Sequence, residues 1–154
     1  MAPRSALLDK ERFEWMIGAT VASVTSDGPH YWSIDFSSGG WVLMDPGTWR
    51  LSLPNGIVVC SDDHGHQFGL PAPVDSIAQA IAAIGKARVT DAFVGAGAPD
   101  LVVEFENQLV LDVLATSIGY ECWKVIDPSG WTVVVHGSGE ASGWQEPLGD
   151  GPIH

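Results

Sequence analysis

Residues 49–59 read WRLSLPNGIVV: a strand carrying Trp49 and Arg50, a Pro54-Asn55-Gly56 turn and a second apolar strand. Residues 123–134 read WKVIDPSGWTVV and repeat that plan. The match extends outward from the hairpin. Ile17-Gly18 with its valine-rich strand corresponds to Ile84-Gly85 and the strand that follows it. WSIDF at 32–36 corresponds to LVVEF at 101–105, and WVL at 41–43 to LVL at 109–111. Order is kept, and most of the drift between copies falls in LATSIGYEC, just before Trp123. A tandem duplication predicts this pattern, because one supersecondary unit written twice changes length only in its connections. The repeats are expected over 5–70 and 74–144 within one domain spanning 1–154, with a C-terminal tail over 145–154.

Each copy reads as a meander of five strands. The first is expected over 19–26, 30–36, 40–45, 48–53 and 57–62. The second is expected over 87–95, 100–106, 108–114, 119–127 and 130–136. Period-two alternation puts Trp32, Ile34 and Phe36 on one face of a strand and Ser33 and Asp35 on the other. SSGG, LPNG and DPSG supply turn chemistry. A helix is expected before each meander. Residues 5–16 offer Leu8, Phe13, Trp15 and Met16 for burial. Residues 75–85 carry an Ile77, Ile81, Ile84 stripe, with Ser76 and Gln79 spaced as a capping box. The expected fold is α+β and β-rich: two tandem helix-plus-antiparallel-meander repeats packed with pseudo-twofold symmetry, as a barrel or as facing sheets.

Charge narrows the function classes. The formal net charge is −12, with only 7 Lys and Arg, which opposes nucleic-acid binding because phosphate backbones call for clustered cations. Apolar runs such as WTVVV are strand-sized, so no membrane association is expected, and the charged residues that follow Leu8 break any secretory leader. A cytoplasmic location is expected. Cys60 and Cys122 belong to no CxxC motif and read as buried reduced thiols.

One stretch looks chemical. CSDDHGH, residues 60–66, packs a thiol, two carboxylates and two imidazoles together. No metal and no cofactor are expected, but if a metal binds, Asp62, His64 and His66 are the candidate ligands, with Asp63 alongside. The competing reading is a solvated loop leaving the last strand of the first copy. A Cys-His nucleophile pair, Cys60 or Cys122 with His64 or His136, is opposed by surrounding acids that keep thiols protonated. In the second copy Cys122 is expected on the strand face opposite Trp123. Trp41, Trp49, Trp123 and Trp131 read as core. Tyr120, Glu121 and Trp144 place aromatics beside acid near the insertion that distinguishes the second copy, a composition suited to a protein-binding hot spot.

The second copy also resembles a bacterial domain-of-unknown-function family, DUF6188. Phe105, Leu109 to Leu111, the Tyr120-Glu121-x-Trp123 word, Pro128-x-Gly130, Gly137-x-Gly139 and Trp144 carry the resemblance. Ile17-Gly18 and Trp49-Arg50-Leu51 extend it into the first copy, while SSGGWVLMDPGTW departs from it. The resemblance implies a small acidic β-rich protein of the kind found beside polymorphic toxins, and hence an immunity or antitoxin role.

The expectation is therefore a non-catalytic protein that neutralises a cognate toxin with a basic surface by covering its active site. Asp62, Asp63, Tyr120, Glu121 and Trp144 are the contact candidates, and a homodimer is compatible with this reading. The alternatives are a small-ligand β-barrel carrier and a metal-dependent enzyme at the CSDDHGH loop.

Overall fold

Branched and aromatic residues on a period of two, bounded by Gly and Pro, give strands because such side chains pack well on a pleated surface. The computed structural model describes residues 4–147. It contains β1 (Val21–Ser26), β2 (Trp32–Phe36), β3 (Trp41–Met44), β4 (Thr48–Leu53), β5 (Gly56–Cys60), β6 (Val89–Val94), β7 (Leu101–Phe105), β8 (Val110–Leu114), β9 (Glu121–Ile126), β10 (Trp131–His136) and β11 (Ala141–Gln145). The first ten lie where alternation puts them, with ends displaced by two residues at most. Trp32, Ile34 and Phe36 are buried as a set. On the opposite face the Ser23 and Ser33 hydroxyls donate to the Asp35 carboxylate at 2.8 and 3.2 Å.

β11 was not anticipated, so Gln145 belongs to a strand rather than to a tail. The part of the expected tail over 148–154 lies outside the described residues.

Two antiparallel sheets enclose one core. One has the order β1-β2-β3-β9-β10-β11 and the other β5-β4-β8-β7-β6. The joins are β3 with β9, where Trp41 faces Ile126, and β4 with β8, where Thr48 faces Leu114. The first sheet thus joins two three-strand meanders, one from each half of the chain, and the second joins the β4–β5 hairpin to the β6–β8 meander. β1 and β6 carry bulges at matching positions, Val21/Ser23 and Val89/Asp91.

The helical segments differ from expectation in three ways. Residues 5–16 form two 3-10 segments, Ala6–Leu8 and Lys10–Met16, broken at an extended Asp9. The reason is the spacing of the buried side chains: Phe13 and Met16, both fully buried, stand three apart, and a 3-10 helix stacks such residues on one side. The second helix, α1 (Ser76–Ile84), buries Ser76, Ala80 and Ile84, whereas Ile81 is 48% exposed. Small residues at 76 and 80 let the helix seat closely, and the Ser76 hydroxyl donates to the Cys60 carbonyl at 2.9 Å. Asp75, not Ser76, is the N-cap, accepting from the Ala78 amide at 3.0 Å. α1 packs on β1 and β5, while the 3-10 segments pack on β6 and β11.

Cys122 is also corrected. It is buried together with Trp123, because Val135 pairs with Trp123 and His136 with Glu121, which leaves Cys122 as the extra residue of a bulge. Cys60 is half-buried rather than buried, and both thiols are free. Trp49 and Trp123 are core as expected, whereas Trp41 and Trp131 are half-buried.

The chain passes between sheets twice, from β3 to β4 and from β8 to β9. Antiparallel register then gathers the connections 27–31, 45–47, 61–66, 95–100, 115–120 and 137–140 at one end, the crossover end. The closest approach there is between Gly137 and Ser117, where a Cβ on Gly137 would stand 1.7 Å from the Ser117 carbonyl oxygen. Gly137→Ala is therefore expected to destabilise by about 2–3 kcal/mol in urea unfolding, through forced displacement of packed backbone. Gly119→Ala, whose added Cβ meets nothing within 4 Å, is expected to be near neutral. Equal stability of the two variants would contradict the packing described.

Candidate functional site

The crossover end is knit together by contacts between its loops. The Gly47 amide donates to the His30 carbonyl at 2.9 Å, and the Thr48 hydroxyl reaches Asp62 Oδ1 at 3.5 Å. Gly47 also lies close to the Cys122 carbonyl. On the far side the Trp123 indole donates to the Pro99 carbonyl at 2.9 Å, and the Ala115 amide donates to Asp100 Oδ1 at 2.8 Å. Arg4 donates to the carbonyls of Gly95 and Gly97 at 2.5 and 2.8 Å. The glycine-rich 94–100 segment is therefore filled by an arginine of the chain itself, and it leads into β7 rather than into a helix.

Of the residues singled out in sequence, Asp62, Asp63, Tyr120 and Glu121 all lie at this end. Trp144 does not. It faces Thr132 on β11, near the start of β10, whereas Glu121 faces His136 at the finish of β10. Trp144 instead donates through its indole to Glu146 at 2.5 Å. Ile118, overlooked in sequence, is 83% exposed beside Tyr120 at 75%. Its position in the insertion before Trp123 was the available signal.

The CSDDHGH segment forms a 3-10 turn, Ser61–Asp63, followed by a loop. Its polar atoms are largely committed to backbone. Ser61 Oγ accepts from the buried Trp49 amide at 3.0 Å, and Asp63 Oδ2 accepts from the Cys60 amide at 3.2 Å. His64 Nδ1 accepts from the Ser76 amide at 3.0 Å. His66 stacks on Phe68 with ring centroids 5.5 Å apart. Among the described residues, no group of three or more His, Cys, Asp or Glu is arranged to hold a metal, so Asp62, His64 and His66 are not assembled as a chelate. What the segment does form, with the β1–β2 turn, is an open cleft of about 610 Å³ lined by Ser26, His30, Asp62, His64, His66 and Ile77. His30 was missed in sequence because only the fold brings the turn at 27–31 beside residues 61–66.

The Cys60 thiol is not activated. Burial raises the Cys60 thiol above its ordinary range, and the Asp63 carboxylate adds to this against the opposing pull of Arg50. The buried Cys122 thiol donates to the Ser117 and Tyr120 carbonyls at 3.4 and 3.5 Å.

Among the described residues no helix is long and apolar enough to cross a membrane. No family model, curated protein or solved structure matches the chain.

Cys60 is expected to alkylate with iodoacetamide more slowly than a free thiol at pH 7.5. Its rate should rise roughly tenfold per pH unit and keep climbing beyond the ordinary thiol range, because only the thiolate reacts. Asp63→Asn should accelerate it and bring the plateau to lower pH. A wild-type rate that levels off below the free-thiol range would contradict the site electrostatics.

Proposed function

We propose that this protein is a non-catalytic binding protein, an immunity protein that neutralises a cognate toxin by laying its crossover end over the toxin's active site. The observation that carries the reading is the composition of that end. The six loops gathered there contain no Lys or Arg, yet hold Asp27, Asp45, Asp62, Asp63, Asp100 and Glu140, with Glu121 adjoining. Arg4, the cation nearest these loops, is spent on backbone carbonyls. The exposed Ile118 and Tyr120 add an apolar anchor beside this charge, the combination that interface hot spots use. A basic partner surface complements it, and complementary charge speeds encounter. The resemblance to DUF6188 supports the immunity role in particular, and a cytoplasmic location goes with it.

The same reading takes the chain as a duplicated helix-plus-meander unit with pseudo-twofold symmetry. The matched bulges in β1 and β6, the reciprocal joins β3–β9 and β4–β8, and the helical segments on the two flanks support it. Symmetry would leave function to the places where the copies differ. The 115–120 insertion and the 61–75 segment are such places.

The carrier alternative loses ground to a filled interior. The void between the sheets, against Val24, Trp49, Leu51 and Ile84, has no space for a water molecule.

Co-expression with the product of the adjacent reading frame is the test. A stable complex is expected, with an affinity that weakens as salt rises. Ile118→Ala combined with Tyr120→Ala should reduce it at least tenfold, in line with about 1.4 kcal/mol or more for anchor truncation. Trp144→Ala, away from the crossover end, should leave it unchanged. Failure to bind any encoded neighbour would overturn the immunity reading.

A further inference from the structure

The contact between His64 and Ser76 joins the crossover end to the helix that closes one flank of the core. Ser76 is the first residue of α1, and its amide is one of the four at a helix N-terminus without an intrahelical acceptor. Two side chains serve this terminus: Asp75 accepts from the Ala78 amide, and His64 Nδ1 accepts from the Ser76 amide at 3.0 Å. Ser76 itself is fully buried, so water is a poor substitute for the imidazole. His64 is exposed along the cleft, so its ring is open to protons from solvent.

An imidazole accepts at Nδ1 only when that nitrogen is unprotonated and the proton sits on Nε2. Protonation removes the acceptor and sets an N–H against the Ser76 N–H. It also places a cation at the positive end of α1. We propose that His64 is a proton-operated latch: neutral, it holds the N-terminus of α1 and with it the 61–75 loop, and on protonation it releases both.

The loop is built to move as a unit. Val74 accepts from Gly65 at 2.9 Å and donates to His66 at 2.7 Å, which closes 66–73 on itself. Between this closed loop and α1 stand the Asp75 cap, the Ser76 hydroxyl bond to Cys60 and the His64 bond, and only the last is lost by adding one proton in the range where histidine titrates. Opening would displace Phe68 and Leu70, which are 67% and 48% exposed. The charged and titratable groups around the ring are Asp62, Asp63 and His66 on its own segment, Asp75 at the helix, Cys60 at the end of β5 and His30 across the cleft. The Trp32 ring packs edge-on to His64, with centroids 5.7 Å apart. The latch is identified by the link between two events, loss of the Nδ1 acceptor and release of the Ser76 amide. The latch stands independently of any partner.

The test follows the imidazole nitrogens of His64 by ¹⁵N NMR and the exchange of the Ser76 amide, on the intact chain, from pH 8 to pH 5. At pH 8 His64 should be the Nε2–H tautomer. Through its titration the protection of the Ser76 amide, corrected for intrinsic exchange, should fall about tenfold per proton-linked pH unit. His64→Asn keeps an acceptor oxygen near the Nδ1 position and cannot titrate, so its Ser76 protection should stay flat. An Nδ1–H tautomer at pH 8, or wild-type protection that does not follow His64, would overturn the proposal without recourse to the variant. So would an Asn variant that loses protection in step with wild type.

Discussion

Everything in this molecule depends on two strand joins, β3 to β9 and β4 to β8. Without them the strands before α1 would amount to a three-strand meander and a separate hairpin, each with an apolar face and an open edge. The joins supply each meander with partners from the far half of the chain and bring both inner faces onto one core, where Trp49 from one sheet meets Trp32 from the other edge-to-face at 5.3 Å. Both sheets draw strands from both halves of the chain. Folding must close long loops before the main stabilising contacts form, which places this topology on the slow side for its size.

The joins also decide where chemistry can gather. A chain that changes sheets twice at the same end must bring its other connections there by antiparallel register. Asp62, Tyr120 and His30 are distant in sequence and share no motif, yet they become neighbours of one surface for this reason. The carboxylates collected there repel one another. The fold tolerates this because most of them face water, where such repulsion is well screened.

Much of the sheet structure was legible in the sequence, since alternation and Pro-x-Gly turns act locally. The burial of Trp32, Ile34 and Phe36 followed directly from the YWSIDF pattern. What the sequence concealed depended on tertiary neighbours. The Ile77, Ile81, Ile84 stripe misled at Ile81, because α1 seats on the small Ser76 and Ala80 together with Ile84, while Ile77 packs at the margin of the core. The bulge that turns Cys122 inward is a property of the β9–β10 pair rather than of either strand. β11 escaped notice because ASGWQ mixes small and polar residues and is held by pairing with β10. At the candidate site the acids and Tyr120 were visible, but His30 and the capping role of His64 required the fold.

The two ends of the molecule are built to different tolerances. At the end opposite the crossovers the strands turn through Ser37–Gly40, Pro54-Asn55 and Pro128–Gly130. There Asp127 Oδ1 alone accepts from the Ser129 amide, the Ser129 hydroxyl and the Trp131 amide at 2.8, 2.6 and 3.0 Å. Such turns fix register and leave little freedom for insertion or deletion. Most crossover connections are longer, and lengthening a surface loop costs little closure entropy. The architecture thus separates the job of holding a shape from the job of changing one. A lineage could rewrite much of the crossover surface without disturbing the residues that keep the strands in step.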